Sequence, residues 1–184
     1  KQTMSELVSA GQLTVPEGVS HASAKPEIAY RLYAVNQWAA TAGIDLILHL
    51  HFNDYLRRNR RAAGRYSGFT VYVPDAQYST ARASRAAGEA IAGELGRFFP
   101  ASDHPQEQAQ AMRGVVSDQE LIATGAANTL DSAAVLIEYG YVYESPLTYP
   151  AIRERLFKEL AWQTFTGVEK FLNKDKEPLL LAQQ

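Results

Sequence analysis

The chain has 184 residues, of which 46% are hydrophobic and 21% charged. That suits one globular domain with a real core and excludes a disordered tail or a collagen-like fibre. Eighteen lysines and arginines stand against 20 acids, a formal charge of −2, so bulk charge gives no nucleic-acid signature and no such partner is expected. The absence of cysteine excludes disulfides, thiolate metal sites and cysteine nucleophiles. No apolar run approaches the roughly 18 residues of a membrane span. Lys1 is no methionine start and no signal peptide precedes it, so the chain reads as a piece of something longer.

Residues 1–24 are weakly patterned: a short amphipathic stretch from Met4 to Val8 ends at Gly11, and Leu13-Thr14-Val15 runs into Pro16. They read as a connector or insertion. Proline and an acid at Pro26-Glu27, then Ile28, Leu32, Val35, Trp38 and Ala39 at helical spacing, predict a helix closed by Gly43. The apolar run Ile44 to His51 predicts a strand buried on both faces, as in parallel sheets.

Phe52 to Ser67 holds Arg57, Arg58, Arg60, Arg61 and Arg65 with little apolar periodicity and reads as an exposed basic loop. Gly68 to Val73 predicts a strand stopped by Pro74. A helix follows from Tyr78 to Phe99, its core face Ala83, Ala87, Ile91, Leu95 and Phe98. Pro100 to Gln110 reads as loop, Leu121-Ile122 as part of a short strand, and Asn128 to Ser132 as a turn.

Ala133 to Tyr139 predicts another buried strand, ended by Gly140, and Tyr149 to Leu172 a long helix facing inward through Ile152, Leu156, Leu160, Phe165, Val168 and Phe171. Residues 173–184 read as a frayed tail. Helices alternating with buried strands argue for an α/β fold with a mainly parallel sheet flanked by helices.

Two strands end in ionisable groups, and in open α/β sheets active sites lie at strand carboxyl ends. One ends His49-Leu50-His51-Phe52-Asn53, where His49 and His51 share a face about 6–7 Å apart. The other ends Ile137-Glu138-Tyr139-Gly140, and a carboxylate after four apolar residues is costly to bury unless paired, liganded or given a raised pKa. An imidazole and a carboxylate so placed could form a metal-hydrolase pair. They could equally be core histidines bonded to backbone and a glutamate paired with an arginine, and the residues alone leave both readings open.

Read together, Arg31-Leu32-Tyr33-Ala34-Val35-Asn36, then Asp45 to Asn53, then Val135 to Tyr141 resemble the zinc-dependent N-acetylmuramoyl-L-alanine amidases of the amidase 3 family. That family shows R-x-x-x-A-N on a helix, D-L-x-x-S-I-H-A-N on a strand and V-L-x-E-x-G-F on a late strand. Gly68 to Val73, Arg113-Gly114-Val115 with Asp118 to Leu121, and Ala161 with Gly167 resemble its flanking segments in order. The likeness spans residues 25–172, which would form the amidase-like domain with its phosphorylase/hydrolase-like fold.

The resemblance implies that His51 is a zinc ligand and that Glu138 is the catalytic glutamate, which activates water and passes its proton to the leaving amine. Asn53 matches an asparagine beside the ligand and reads as supporting. His49 stands where the family usually has serine, and could add a hydrogen bond to the site. Arg31 and Asn36 read as structural.

The family's other two ligands, a histidine in G-H-G and a glutamate opening the first helix, have no match before residue 25, since His21 and Glu6 stand in unsuitable contexts. They are expected upstream of Lys1. The implied cofactor is Zn²⁺ and the implied substrate peptidoglycan, with hydrolysis of the amide between N-acetylmuramic acid and L-alanine. The implied protein is exported, to periplasm, cell wall or the extracellular space, and is expected to be a monomer. Two rivals stand beside this: a non-catalytic, amidase-like wall-binding or regulatory domain, and a zinc hydrolase of the same architecture acting on another amide. The basic loop, directly after the His51 strand, is expected to border the active-site groove, either attracting anionic wall polymer or stem-peptide carboxylates or serving simply as a solvated loop.

Overall fold

The computed structural model describes residues 3–15, 26–60, 62–111, 113–118, 129 and 131–174. The Leu121-Ile122 strand, Asn128 and Leu130 of the Asn128–Ser132 turn, His21 and Arg61 lie outside the described residues. In chain order the elements are α1 (Met4–Ser9), α2 (Pro26–Ala42), β1 (Leu46–Asn53), β2 (Thr70–Val73), α3 (Ala81–Leu95), α4 (Pro105–Gln110), β3 (Val115–Ser117), β4 (Ala133–Tyr141), α5 (Ser145–Thr148) and α6 (Pro150–Asn173).

Helix α1 starts with a capping box, in which Thr3 and Glu6 exchange side-chain-to-backbone bonds. The Glu27 carboxylate accepts from Met4 N at 2.7 Å and Ser5 N at 3.1 Å, satisfying amide groups that the helix leaves without internal partners. Residues 3–9 are thereby tied to the start of α2.

The sheet runs β1-β4-β2-β3. β1 is parallel to β4 and β3 to β2, while β2 runs antiparallel to β4. The sheet is therefore mixed and mainly parallel. Side chains alternate across it. One face carries Phe69, Val71, Val73, Val115, Val135 and Ile137, packed beneath Ala87, Ile91 and Leu95 of α3 and Leu160 of α6.

The two helices cross closely because Gly167 has no side chain: a Cβ there would lie 2.5 Å from Ile91 Cα. Glu94, buried on α3, clamps the crossing by accepting from Lys170 Nζ at 2.6 Å and Arg97 at 3.0 Å. Those cations hold its carboxyl below the usual range, the Lys170 bond contributing most.

Several expectations are corrected here. β1 is an edge strand, not one buried on both faces: among the described residues it pairs only with β4, and Leu50 is 57% exposed. Its apolar side, Leu48, Leu50 and Phe52, faces Phe157 and Phe165 of α6 across an open groove of about 460 Å³. In α2 the buried side is Ala29, Leu32, Ala34 and Ala39, while Trp38 and Ile28 point outward.

Helix α3 is shorter than its periodicity suggested, and Ala83 and Phe98 are exposed, because the face toward the sheet runs through Ala81, Ser84, Ala87 and Gly88. On α6, Ile152 and Phe165 are also exposed, since the helix overhangs the edge strand. The stretch read as loop from Pro100 contains α4, and strand β3 and helix α5 complete the inventory.

Candidate functional site

Three strands converge on one point of the sheet's second face. Parallel pairing sets His51 beside Glu138, and antiparallel pairing sets Thr70 on Glu138's other side. His49, His51, Leu136, Glu138, Thr70 and Tyr72 therefore share this face, opposite the α3/α6 core. The β1 register shifts between His51 and Asn53, and the Asn53 carbonyl accepts from Val142 N at 2.9 Å. Asn53 thus fastens the end of β1 to the end of β4.

His51 Nδ1 lies 3.9 Å from Glu138 Oε1, too far for a hydrogen bond. Burial, and then the positive charge of Arg31, hold the His51 imidazole below its ordinary pKa. Burial first, and then the neighbouring Glu107 carboxylate, raise Glu138 to about 7. Glu138 Oε2 is buried and accepts no hydrogen bond among the described residues.

His49 is buried deeper, and desolvation, helped by the charges of His51 and Arg31, lowers it to about 4; its Nε2 has no partner among the described residues. Arg31, read as structural, thus acts on both histidines through its charge.

Glu107 was missed by sequence reasoning. Its carboxylate is buried and accepts from Thr70 Oγ1 and Tyr72 Oη, both at 2.7 Å. The signal was present: proline at 105 with an acid at 107 is a helix start. Tyr72, Asp75, His104, Glu107, Ser117 and Asp118 line a polar cleft of about 400 Å³ on this side of the sheet.

The loop after β1 is braced rather than free. Arg57, expected to be exposed, has an 11% exposed side chain that grips Asp54 at 2.8 and 3.0 Å and lies over the Tyr143 ring. Tyr66, Tyr55 and His104 form an edge-to-face cluster with centroids 4.5–5.4 Å apart. Tyr139, by contrast, faces α6 and bonds Thr164 at 2.7 Å, so it is a core residue.

As donors, the His51 imidazole, half-exposed, has the right chemistry for a zinc ligand, and the orphaned Glu138 oxygen sits beside it. The number falls short: among the described residues no three His, Cys, Asp or Glu side chains converge on a metal position. The described residues thus fit one ligand of a zinc site and do not complete it.

No family model matches the sequence, and no curated protein matches it. Solved structures do. Ami1, the N-acetylmuramyl-L-alanine amidase of Mycobacterium abscessus, superposes with a TM-score of 0.57 at 15% identity, over 77% of this chain and 61% of that one. Its Mycobacterium smegmatis counterpart gives 0.54 at 16% identity, over 76% and 61%. The CwlD amidase of Clostridioides difficile, solved in complex with the GerS lipoprotein, gives 0.55 at 16% identity, over 92% and 81%. The fold is therefore one shared with these amidases, and the chain spans about 61% of the length of the two mycobacterial structures.

Proposed function

We propose that the protein is a zinc-dependent cell-wall hydrolase that cleaves the amide between the lactyl group of N-acetylmuramic acid and L-alanine in peptidoglycan. The observation that carries this reading is the meeting of Glu138 and His51 at one end of the sheet, in a fold shared with N-acetylmuramyl-L-alanine amidases.

Glu138, raised to about 7, is suited to take and return a proton near neutral pH. As a carboxylate it takes a proton from the attacking water, whose oxygen bonds to the carbonyl carbon. The C–N bond then breaks as Glu138 hands that proton to the departing amine, leaving a lactyl carboxylic acid and a free L-alanyl amino terminus. His51 is the proposed zinc ligand, with the rest of the set supplied from outside the described residues. Zinc bound there would polarise the scissile carbonyl and make water more acidic. His49 and Asn53 support the site: the first is a half-buried imidazole on the same face, the second the pin between strand ends.

The substrate lies outside the cytoplasmic membrane, so the proposed place of action is periplasm, wall or extracellular space. No described helix is long and apolar enough to cross a membrane.

The test is digestion of purified muropeptides with zinc supplied, counting released L-alanyl amino termini and using simple peptides as comparison. Glu138→Gln is expected to lose about 10²–10⁴-fold in turnover with its folding cooperativity intact; substantial turnover by that variant overturns the assignment. Zinc content of the natural polypeptide should vanish with His51→Ala. No zinc in either form removes the electrophile and moves the assignment to a non-catalytic wall-binding domain. Cleavage of simple peptides as fast as muropeptides moves it to a hydrolase of another amide.

A further inference from the structure

The arginine loop after β1 is not absorbed by the chemistry above, yet it is built onto the same end of the sheet. Tyr66 N donates to Tyr143 Oη at 3.3 Å, and Gly68 N donates to Glu144 Oε1 at 3.2 Å. Arg57 lies 4.9 Å over the Tyr143 ring. Tyr143 and Glu144 follow Glu138 by five and six residues, so these contacts fix the loop as a rim beside the Glu138–His51 pair.

The acids around this rim are committed to the fold. Asp54 holds Arg57, Asp103 accepts from Ser67 N at 2.7 Å, and Glu144 accepts from Tyr141 N at 2.7 Å. The cations are not so used. Arg58, Arg60 and Arg65 are exposed, and none forms an ion pair with a carboxylate among the described residues. Arg65 lies over Tyr66 at 5.4 Å, where the ring holds the planar fork without neutralising it. Guanidinium forks on a braced loop match carboxylates in shape and charge, and a backbone already ordered loses little further entropy on binding.

We propose that Arg58, Arg60 and Arg65 form a docking rim for the carboxylates of peptidoglycan stem peptides, holding the peptide beside Glu138. This rests on the amidase reading, because the bond cleaved there joins glycan to peptide and so lays the peptide against the site.

The test is co-sedimentation of the Glu138→Gln chain with purified sacculi, which separates binding from turnover. Binding is expected to weaken about tenfold between about 50 and about 300 mM NaCl, as surface charge pairs are screened. Replacing Arg58, Arg60 and Arg65 together by Ser should cost about tenfold at low salt and flatten the salt dependence, with partial recovery in the Lys triple variant, which keeps charge without the fork.

Amidating the stem carboxylates should abolish the difference between parent and Ser variant, whereas stripping phosphate-bearing polymers from the sacculi should leave it intact. Equal, salt-insensitive binding by parent and variant overturns the rim, as does a difference that disappears with the phosphate polymers. The two readings fail separately. Rim-dependent binding with no hydrolysis by the wild-type chain overturns the amidase reading, and hydrolysis with rim-independent binding overturns this one.

Discussion

Strands β1 and β4 lie side by side, parallel, with much the same apolar sequence, and meet opposite conditions. β4 is central: Val135 and Ile137 are wholly buried between two neighbouring strands and beneath α3. β1 is at the edge of the sheet formed by the described residues, where α6 covers it only in part and Leu50 stands in solvent. The ionisable group of each inherits that difference. Glu138 keeps 16% of its side-chain surface and is pushed up, whereas His51 keeps 47%. The difference shows how one site gains both a shielded carboxyl and an accessible imidazole: a central strand supplies the first, an edge strand the second.

The largest expected break in this contrast is the turnover loss of Glu138→Gln described above. Next comes stability. Ile137→Ala should cost about 2–5 kcal/mol as a buried truncation, and Leu50→Ala within about 0.5 kcal/mol as an exposed one, measured by urea unfolding. Equal costs would mean that the groove beside β1 is filled in solution.

A smaller effect belongs to Gly140, whose φ of +141° places it in the region that favours glycine. A Cβ there would lie 2.7 Å from Glu144 Oε1, the atom that accepts from Tyr141 N and Gly68 N. Gly140→Ala should therefore cost about 1–3 kcal/mol and loosen the loop from β4, detectable as faster amide exchange at Gly68.

The smallest and sharpest test is pH, on the metal-free chain. His49 sits at about 4 in the fold against an ordinary 6.5, so the unfolded chain binds more protons between those values and its contribution to stability rises with pH across that window. Glu138 sits at about 7 against 4.5, so the folded chain binds more protons and its contribution falls as pH rises from 4.5 to 7. In the wild type the two slopes oppose each other. Glu138→Gln should leave a rising profile, to which His51, also held below its ordinary pKa, adds, and His49→Gln should tilt the profile toward the falling Glu138 slope. Parallel stability profiles for the two variants, followed by urea midpoints from pH 4 to 7.5, would contradict the burial of one or both groups.

The amino-acid sequence by itself determined most of the local elements and nominated the residues of the candidate site. Periodicity and capping residues place α2, α3, α6 and β4, because a 3.6-residue stripe or an unbroken β-rich run has few alternatives. The pairing of residue types at the ends of two strands brought forward His49, His51 and Glu138, and the family resemblance added Asn53.

Tertiary structure decided what an apolar run cannot encode, namely how many neighbours it has. Ile44 to His51 reads as buried on both faces, yet becomes an edge, since burial depends on which strands and helices arrive from elsewhere in the chain. It also decided that Glu107, 31 residues from Glu138, reaches the same face through Thr70 and Tyr72. Strand order and register, rather than spacing along the chain, bring such groups together, and the long-range packing that fixes them is spread over the whole core.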